Sequence, residues 1–172
     1  ICLNPTRIAY LDVLKRMGAS IGLENYRETV GETVGDIRVQ GKHLTGTTIQ
    51  GAEIPSLIDE LPILAIAAAC AEGRTTIRDA RELRVKEADR IKAMVHGFAA
   101  LGAGVEELDD GMIIDGPLAL RGGHIHTASD HRIAMSFAVL AKALSIDIHL
   151  DDTACVDISY PGFFRDMASL AV

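Results

Sequence analysis

Apolar side chains recur every three or four residues in two segments of the chain, the spacing of an amphipathic helix. The first segment follows Asn4-Pro5-Thr6, a helix-start signal, and carries the apolar residues Tyr10, Val13, Leu14 and Met17. The second is expected to form a helix over residues 87–101, with the apolar residues Ile91, Met94, Val95, Phe98 and Leu101. Both helices should therefore bury one face and expose the other.

Two further segments, residues 57–71 and 133–144, are apolar on nearly every face, which is typical of a helix buried on all sides. Short apolar or alternating runs bounded by glycine and polar residues predict strands between the helices. These strands cover residues 19–23, 36–40, 44–49, 75–78, 104–107, 112–115 and 146–150. A last helix is expected after Tyr160-Pro161-Gly162.

The order of these elements repeats along the chain. Asp59 and Asp130 precede the two apolar helices and are 71 residues apart, and Ile77 and Ile148 in the following strands have the same separation. One full copy of the unit lies between two partial copies. The pattern predicts an α/β fold of repeated units, with buried helices surrounded by short mixed sheets. A solenoid is the alternative, but a period this long and so few copies make it the weaker one.

Composition and charge exclude several classes of protein. The 172 residues are 48% hydrophobic and 24% charged, as in an ordinary globular domain, and the net charge of −7 argues against nucleic acid as the main partner. The most apolar run, residues 61–71, is too short to cross a membrane.

The three cysteines, Cys2, Cys70 and Cys155, are far apart and lack metal-ligand spacing. A disulfide framework and a metal site are therefore not expected, whereas a cytoplasmic location is. Because the chain opens with Ile rather than Met, we expect a fragment.

Residues 83–90 combine three cations with two carboxylates just before the second amphipathic helix. Lys86 and Glu87 are four and three residues before Arg90, so they should share one face of the first helical turn. Two cations beside a carboxylate could hold an anion and supply an acid or a base. The alternative is a self-paired, solvated charge run that caps the helix.

Polar residues also stand before the two buried helices, as Asp59-Glu60 and as Asp130-His131-Arg132. Helix capping is one explanation for the acidic residues. It does not explain Arg132, because a cation is unfavourable at the positive end of a helix unless it is paired or used. We expect His131 to be a structural donor, and the other histidines to lie on the surface or in loops.

Three motifs resemble signatures of the 5-enolpyruvylshikimate-3-phosphate synthase family, in the same order and spacing. They are Leu83-Arg84-Val85-Lys86-Glu87-Ala88-Asp89-Arg90, Asp130-His131-Arg132-Ile133-Ala134-Met135 and Ser159-Tyr160-Pro161-Gly162-Phe163-Phe164. Two further segments resemble the glyphosate-insensitive bacterial branch of that family, Asn4-Pro5-Thr6-Arg7 and Ile58-Asp59-Glu60-Leu61-Pro62. The resemblance runs over essentially the whole chain.

The resemblance implies a two-domain enolpyruvyl transferase whose domains are each built from three βαβαββ units, an inside-out α/β barrel-like arrangement. Residues 1–172 would be most of the C-terminal domain, with the N-terminal domain absent. The implied reaction transfers the enolpyruvyl group of phosphoenolpyruvate to the 5-hydroxyl of shikimate 3-phosphate, without a cofactor or a metal. A UDP-N-acetylglucosamine enolpyruvyl transferase and a non-catalytic α/β-repeat module are the alternatives.

The resemblance also implies roles for five residues. Asp59 and Glu87 match the acid–base positions, with Asp59 assigned to the acceptor hydroxyl and Glu87 to the methylene carbon. Lys86 would contact the substrates, and Arg90 and Arg132 would hold the phosphate and carboxylate of phosphoenolpyruvate.

One position departs from the pattern of many family members. Ile158 stands where they carry a lysine, just before the Ser159-Tyr160-Pro161 motif. The full enzyme is therefore expected to tolerate glyphosate better than the lysine-bearing forms.

Overall fold

The computed structural model describes residues 1–170, and its helices and strands alternate along the chain. The helices are α1 (Ala9–Arg16), α2 (Ile54–Leu57), α3 (Leu61–Cys70), α4 (Arg90–Ala100), α5 (His131–Leu144) and α6 (Phe163–Ser169). The strands are β1 (Ser20–Thr29), β2 (Glu32–Gln40), β3 (Thr48–Ile49), β4 (Gly73–Ile77), β5 (Glu106–Leu108), β6 (Gly111–Gly116), β7 (Gly123–Ile125) and β8 (Ile148–Leu150). Short 3-10 helices cover Gly51–Glu53, Arg81–Val85 and Ala154–Ile158.

The strands form three small sheets. β1 and β2 make an antiparallel hairpin, and β7 pairs with β8 in parallel. The third sheet has the order β3-β4-β6-β5, in which β3 and β4 are parallel and the other pairs are antiparallel. The mixed α/β class that the hydrophobic pattern predicts is confirmed.

The predicted repeat is visible in the order of the elements. One full βαβαββ unit consists of β3, α3, β4, α4, β5 and β6, and it forms the four-stranded sheet by itself. The hairpin β1–β2 after α1 ends an earlier partial unit, and β7, α5, β8 and α6 begin a later one. In both units a parallel strand pair brackets a buried helix, as a crossover connection requires.

The core lies between the two buried helices α3 and α5 and the amphipathic helix α4, which packs against them. Leu64 and Ala68 of α3 and Phe137 of α5 are fully buried or nearly so. The ring of Phe137 meets Phe98 of α4 edge-on, with the ring centroids 5.6 Å apart. Alanine side chains on α3 leave room for its neighbours to approach closely. The N-terminal ends of the three helices meet where Arg90, at the start of α4, bonds Asp59 before α3 and Asp130 before α5.

Two predicted helices have different bounds in the structure. The segment expected as one helix over residues 57–71 is α2 and α3. Pro62 has no N–H to bond the carbonyl of Ile58, four residues earlier, so the helix is interrupted there and α3 starts at Leu61. The helix expected from residue 87 begins at Arg90, and Asp89 is its N-cap, accepting the Lys92 N–H at 3.0 Å. Lys86 and Glu87 therefore precede the helix, and their placement on its first turn was wrong.

The strand predictions differ mainly in length. The strand expected over residues 44–49 is reduced to β3, whereas β1 and β2 extend well beyond the predicted limits. β7 was not predicted, because three residues that include a glycine and a histidine give no alternation to detect.

Candidate active site

The guanidinium group of Arg90 lies at the centre of the polar site, and the residue is only 1% exposed. Its Nε donates to Asp130 Oδ2 at 2.8 Å, and its Nη2 donates to Glu87 Oε2 at 2.6 Å. Its Nη1 donates a longer bond to Asp59 Oδ1, at 3.4 Å. A buried cation is stable only when its charge and its donors are paired. Arg90 therefore joins carboxylates from three separate segments of the chain.

Asp130 is fully buried and holds both Arg90 and the start of α5. Its Oδ1 accepts the backbone N–H groups of Arg132 at 2.8 Å and Ile133 at 3.3 Å, which makes it the N-cap residue. Its other oxygen accepts Arg90. The capping role proposed for this position is confirmed, and it coexists with the ion pair.

Asp59 lies within ion-pair distance of three arginine side chains, Arg7, Arg90 and Arg132, and does not cap α3. The N-cap residue of α3 is Glu60, which makes no side-chain capping bond, so the capping explanation for Asp59 is wrong. Arg132 donates to the backbone carbonyl of Asp59 at 2.7 Å, and its Nη2 lies 3.3 Å from Asp59 Oδ2. The structure thus brings Asp59, Arg90 and Arg132 together.

Arg7 and Glu60 belong to the same group, although neither was a candidate site residue. Arg7 is 4.0 Å from the carboxylate of Asp59 and 3.6 Å from that of Glu60, and Arg132 is 3.7 Å from Glu60. Burial raises the pKa of the Glu60 carboxyl, although Arg132 and Arg7 oppose that shift. The available signal for both residues was their place in the segments Asn4-Pro5-Thr6-Arg7 and Ile58-Asp59-Glu60-Leu61-Pro62.

Some charged residues of the segment 83–90 stabilise the local structure, and others belong to the polar site. Arg84 pairs with Asp89 at 2.8 Å and with a backbone carbonyl of β5, so these two residues are structural. Glu87 keeps a half-exposed side chain beside the buried arginine. Lys86 pairs with Glu82. Within residues 1–170, its ammonium group forms no ion pair with Asp59 or Glu87.

We call these seven side chains the arginine–carboxylate cluster: Arg7, Asp59, Glu60, Glu87, Arg90, Asp130 and Arg132. A cavity of about 190 Å³ opens beside it, and its lining includes the polar residues Asp59, Glu60 and Arg132 and the apolar residues Met135, Val139 and Phe163. The N-terminal ends of α3 and α5 lie at the arginine–carboxylate cluster and add positive potential there. Such a site combines groups that can transfer protons with donors for an oxyanion.

No group of three or more His, Cys, Asp or Glu side chains within residues 1–170 could hold a metal ion. In the same range, no helix is long and apolar enough to span a membrane. His124 and His149 are exposed and stack on each other, and His131 begins α5.

Comparison with known proteins gives a consistent result. Residues 1–167 match the family described as EPSP synthase (3-phosphoshikimate 1-carboxyvinyltransferase). Two similar relatives bear the name 3-phosphoshikimate 1-carboxyvinyltransferase. The one from Roseiflexus sp. (strain RS-1) is 52% identical over 171 residues, which are 99% of this chain and 40% of that protein. The one from Desulforudis audaxviator (strain MP104C) is 50% identical over 167 residues, 97% of this chain and 39% of that protein.

A solved structure agrees with these relatives. The EPSP synthase from Acinetobacter baumannii superposes with a TM-score of 0.87 at 38% identity, over 96% of this chain and 39% of that one. The chain thus spans about 40% of the length of the curated relatives it matches. By its matched residues, its relatives and its fold, this chain belongs to the EPSP synthase family.

Proposed function

We propose that this chain supplies part of the active site of a cytoplasmic 3-phosphoshikimate 1-carboxyvinyltransferase. The reaction joins the enolpyruvyl group of phosphoenolpyruvate to the 5-hydroxyl of shikimate 3-phosphate and releases phosphate. The observation that carries the proposal is the convergence of Asp59, Glu87, Arg90 and Arg132 in one cluster, in a chain of this family. Asp59 and Arg132 of this cluster also line the cavity.

The reaction proceeds by addition and then elimination, and each step moves protons. The acceptor hydroxyl attacks the substituted carbon of the enol phosphate and loses its proton, while the methylene carbon gains one and becomes a methyl group. Elimination then removes a proton from that methyl group and expels phosphate, which restores the double bond. We assign the hydroxyl proton to Asp59 and the methylene proton to Glu87. Both carboxylates contact Arg90, which supports a common site for the two transfers.

The arginines would bind the anionic groups of phosphoenolpyruvate through paired, charge-assisted bonds. Arg132 is a quarter exposed and borders the cavity, so it can meet a ligand directly. Arg90 is buried and fully engaged, so it reaches a ligand only by exchanging its longest contact, that with Asp59. Lys86 would turn from Glu82 to the substrates, which costs little because Glu82 lies on the surface.

We further propose that the chain is most of the C-terminal domain of a two-domain enzyme and that the N-terminal domain completes the site. Four carboxylates face three guanidinium groups in the arginine–carboxylate cluster, so the cluster by itself has no surplus positive charge. Two polyanionic substrates need further cations, which the remaining part of the enzyme would supply.

The test uses a chimera in which this chain replaces the matching part of the Roseiflexus sp. protein. We expect the chimera to release phosphate only when both substrates are present. Glu87→Gln removes the titrating group with little change in shape, and it should lower turnover by about two to four decades. Glu106→Gln, an exposed position on β5, is the matched control and should keep the turnover of the parent chimera. A near-parental rate for Glu87→Gln would show that Glu87 does not transfer a proton in the reaction and has only a structural role.

A further inference from the structure

The loop between β7 and α5 has an unfavourable backbone conformation that its surroundings must maintain. Ala128 and Ser129 are consecutive residues in the left-handed region, with φ values of 53° and 54°. Residues other than glycine rarely adopt this conformation, and they keep it where neighbouring contacts over-determine it. This loop leads directly into Asp130, the partner of Arg90.

The contacts that maintain the loop come from Asp151, the residue after β8. Its Oδ1 accepts both the backbone N–H of Thr127 at 2.8 Å and the Thr127 hydroxyl at 2.7 Å. Thr127 is fully buried, and His126 Nδ1 lies against the other oxygen of Asp151. Burial opposes ionisation, but the bonds from Thr127 and the contact with His126 lower the pKa of Asp151 to about 2.

A continuous set of hydrogen bonds connects Asp151 to the centre of the cluster. The carbonyl of Thr127 accepts the backbone N–H of Asp130 at 3.1 Å, and the Asp130 carboxylate accepts Arg90. A shift of Thr127 would therefore move the anion that orients the Arg90 guanidinium.

We propose that Asp151 and Thr127 are positioning residues for the reaction, because they hold the 126–130 loop so that Asp130 keeps Arg90 directed at Asp59 and Glu87. The proposal rests on the proposed function of that site. Neither residue touches the cavity, and both act through the loop. The competing explanation is that Asp151 only ties β8 to the loop and contributes to stability alone.

The first experiment follows Arg90 itself and needs no enzymatic activity. In ¹⁵N spectra of the 172-residue chain, the Arg90 Nε–H should exchange slowly because it is buried and bonded to Asp130. Asp151→Ala should speed that exchange by at least about tenfold, since the loop can then open locally. Asp152→Ala is the matched control. It removes the same charge one residue later, but the Asp152 carboxylate accepts the backbone N–H groups of Ala154 and Cys155, which lie outside the 126–130 loop.

The second experiment measures kinetics in the chimera with a milder pair of variants. Thr127→Val removes the hydroxyl at nearly constant shape, and Thr127→Ser retains it. A displacement of reacting groups by about 1 Å can lower the rate by about a hundredfold, so Thr127→Val should lower kcat/KM by up to this factor and Thr127→Ser should restore it.

The outcomes separate the proposal from the function on which it rests. Faster Arg90 exchange in Asp151→Ala than in Asp152→Ala, together with rescue by serine, supports positioning. Equal Arg90 exchange in the two aspartate variants, or equal kinetics in the two threonine variants, overturns it even if thermal stability falls. A chimera without turnover speaks against the proposed function, and the exchange experiment then still decides whether Asp151 positions Arg90.

Discussion

Arg90 shows how one residue can be essential to the fold and central to the site. Removing a guanidinium group from water carries a large desolvation cost, which is offset here by bonds to Asp59, Glu87 and Asp130. The Asp130 contact is the most buried of the three, since both partners are almost inaccessible to water. The orientation of Arg90 is therefore set chiefly by Asp130.

Removing Asp130 should destabilise the chain strongly. Asp130→Ala leaves Arg90 with less charge compensation and deletes the cap of α5, so we expect a loss of about 3–5 kcal/mol in the free energy of unfolding. Urea denaturation measures the loss. Asp115→Ala is the control, because it breaks an arginine–aspartate pair of equally short bonds in which both side chains are mostly exposed. An equal loss for the two variants would contradict the importance of burial.

Ile158 provides a prediction about inhibitor sensitivity at the level of one side chain. It is 87% exposed at the end of a 3-10 helix, so a lysine fits there without repacking. The lysine that many family members carry at this position would add one charge-assisted bond to glyphosate. Ile158→Lys should therefore lower the glyphosate concentration that inhibits the chimera by about tenfold or more. Val30→Lys adds the same charge at another exposed site and should have no such effect. Equal inhibition of both variants would oppose this explanation.

Among the elements, the contact between α4 and α5 decides whether the site is assembled. α4 carries Arg90 and α5 is capped by Asp130, so the distance between these helices sets the geometry of the ion pair. Gly97 of α4 lies directly against the ring of Phe137, and a Cβ there would overlap the ring. The helices approach this closely because residue 97 has no side chain.

Gly97→Ala should therefore destabilise the chain even though alanine favours helices. Alanine would gain about 1 kcal/mol in helix propensity, while overpacking in a dense core costs about 1–3 kcal/mol, so the net change is a loss. Thermal denaturation of Gly97→Ala measures it. Gly104→Ala, where a Cβ meets open space, is the control and should change the melting temperature little. A more stable Gly97→Ala variant would show that the helices can separate at low cost.

At the scale of the whole molecule, the chain presents one side of a site rather than an enclosed one. The cavity beside the arginine–carboxylate cluster is small, and the cluster has no surplus positive charge. Catalysis that depends on enclosing both substrates and excluding water would need the rest of the enzyme.

The isolated chain is accordingly expected to be inactive. Phosphate release from phosphoenolpyruvate and shikimate 3-phosphate should stay at background for the 172 residues alone, while the chimera turns over. Calorimetric titration with phosphoenolpyruvate measures whether the isolated chain still binds this substrate. Weak binding that is lost in Arg132→Ala would show a partly preformed anion site, and turnover by the isolated chain would refute the need for the other domain.

Much of the fold was predictable because it depends on local patterns. The apolar faces of α3 and α5 and the cap at Asp130 follow from residue types at fixed spacings. Predictions failed where a local signal was short or was changed by its neighbours. β7 is too short to show alternation, and Pro62 divides the apolar run into two helices.

The candidate site was predictable only in part. Asp59, Glu87 and Arg132 were recognised by resemblance, and the structure places them around Arg90. Arg7 and Glu60 had no signal beyond their places in two family-like segments, because single arginine and glutamate residues are common on protein surfaces.

By itself, the sequence determined the α/β class, the repeated unit, the helices to be buried and the side chains able to do acid–base chemistry. These depend on residue type and on spacing within one element. Only the tertiary structure decided that Arg90 is buried and that its partners are Asp59 and Asp130, which lie 31 and 40 residues away. Contacts over such separations form only when α3, α4 and α5 pack together, and the packing depends on steric details such as Gly97 against Phe137.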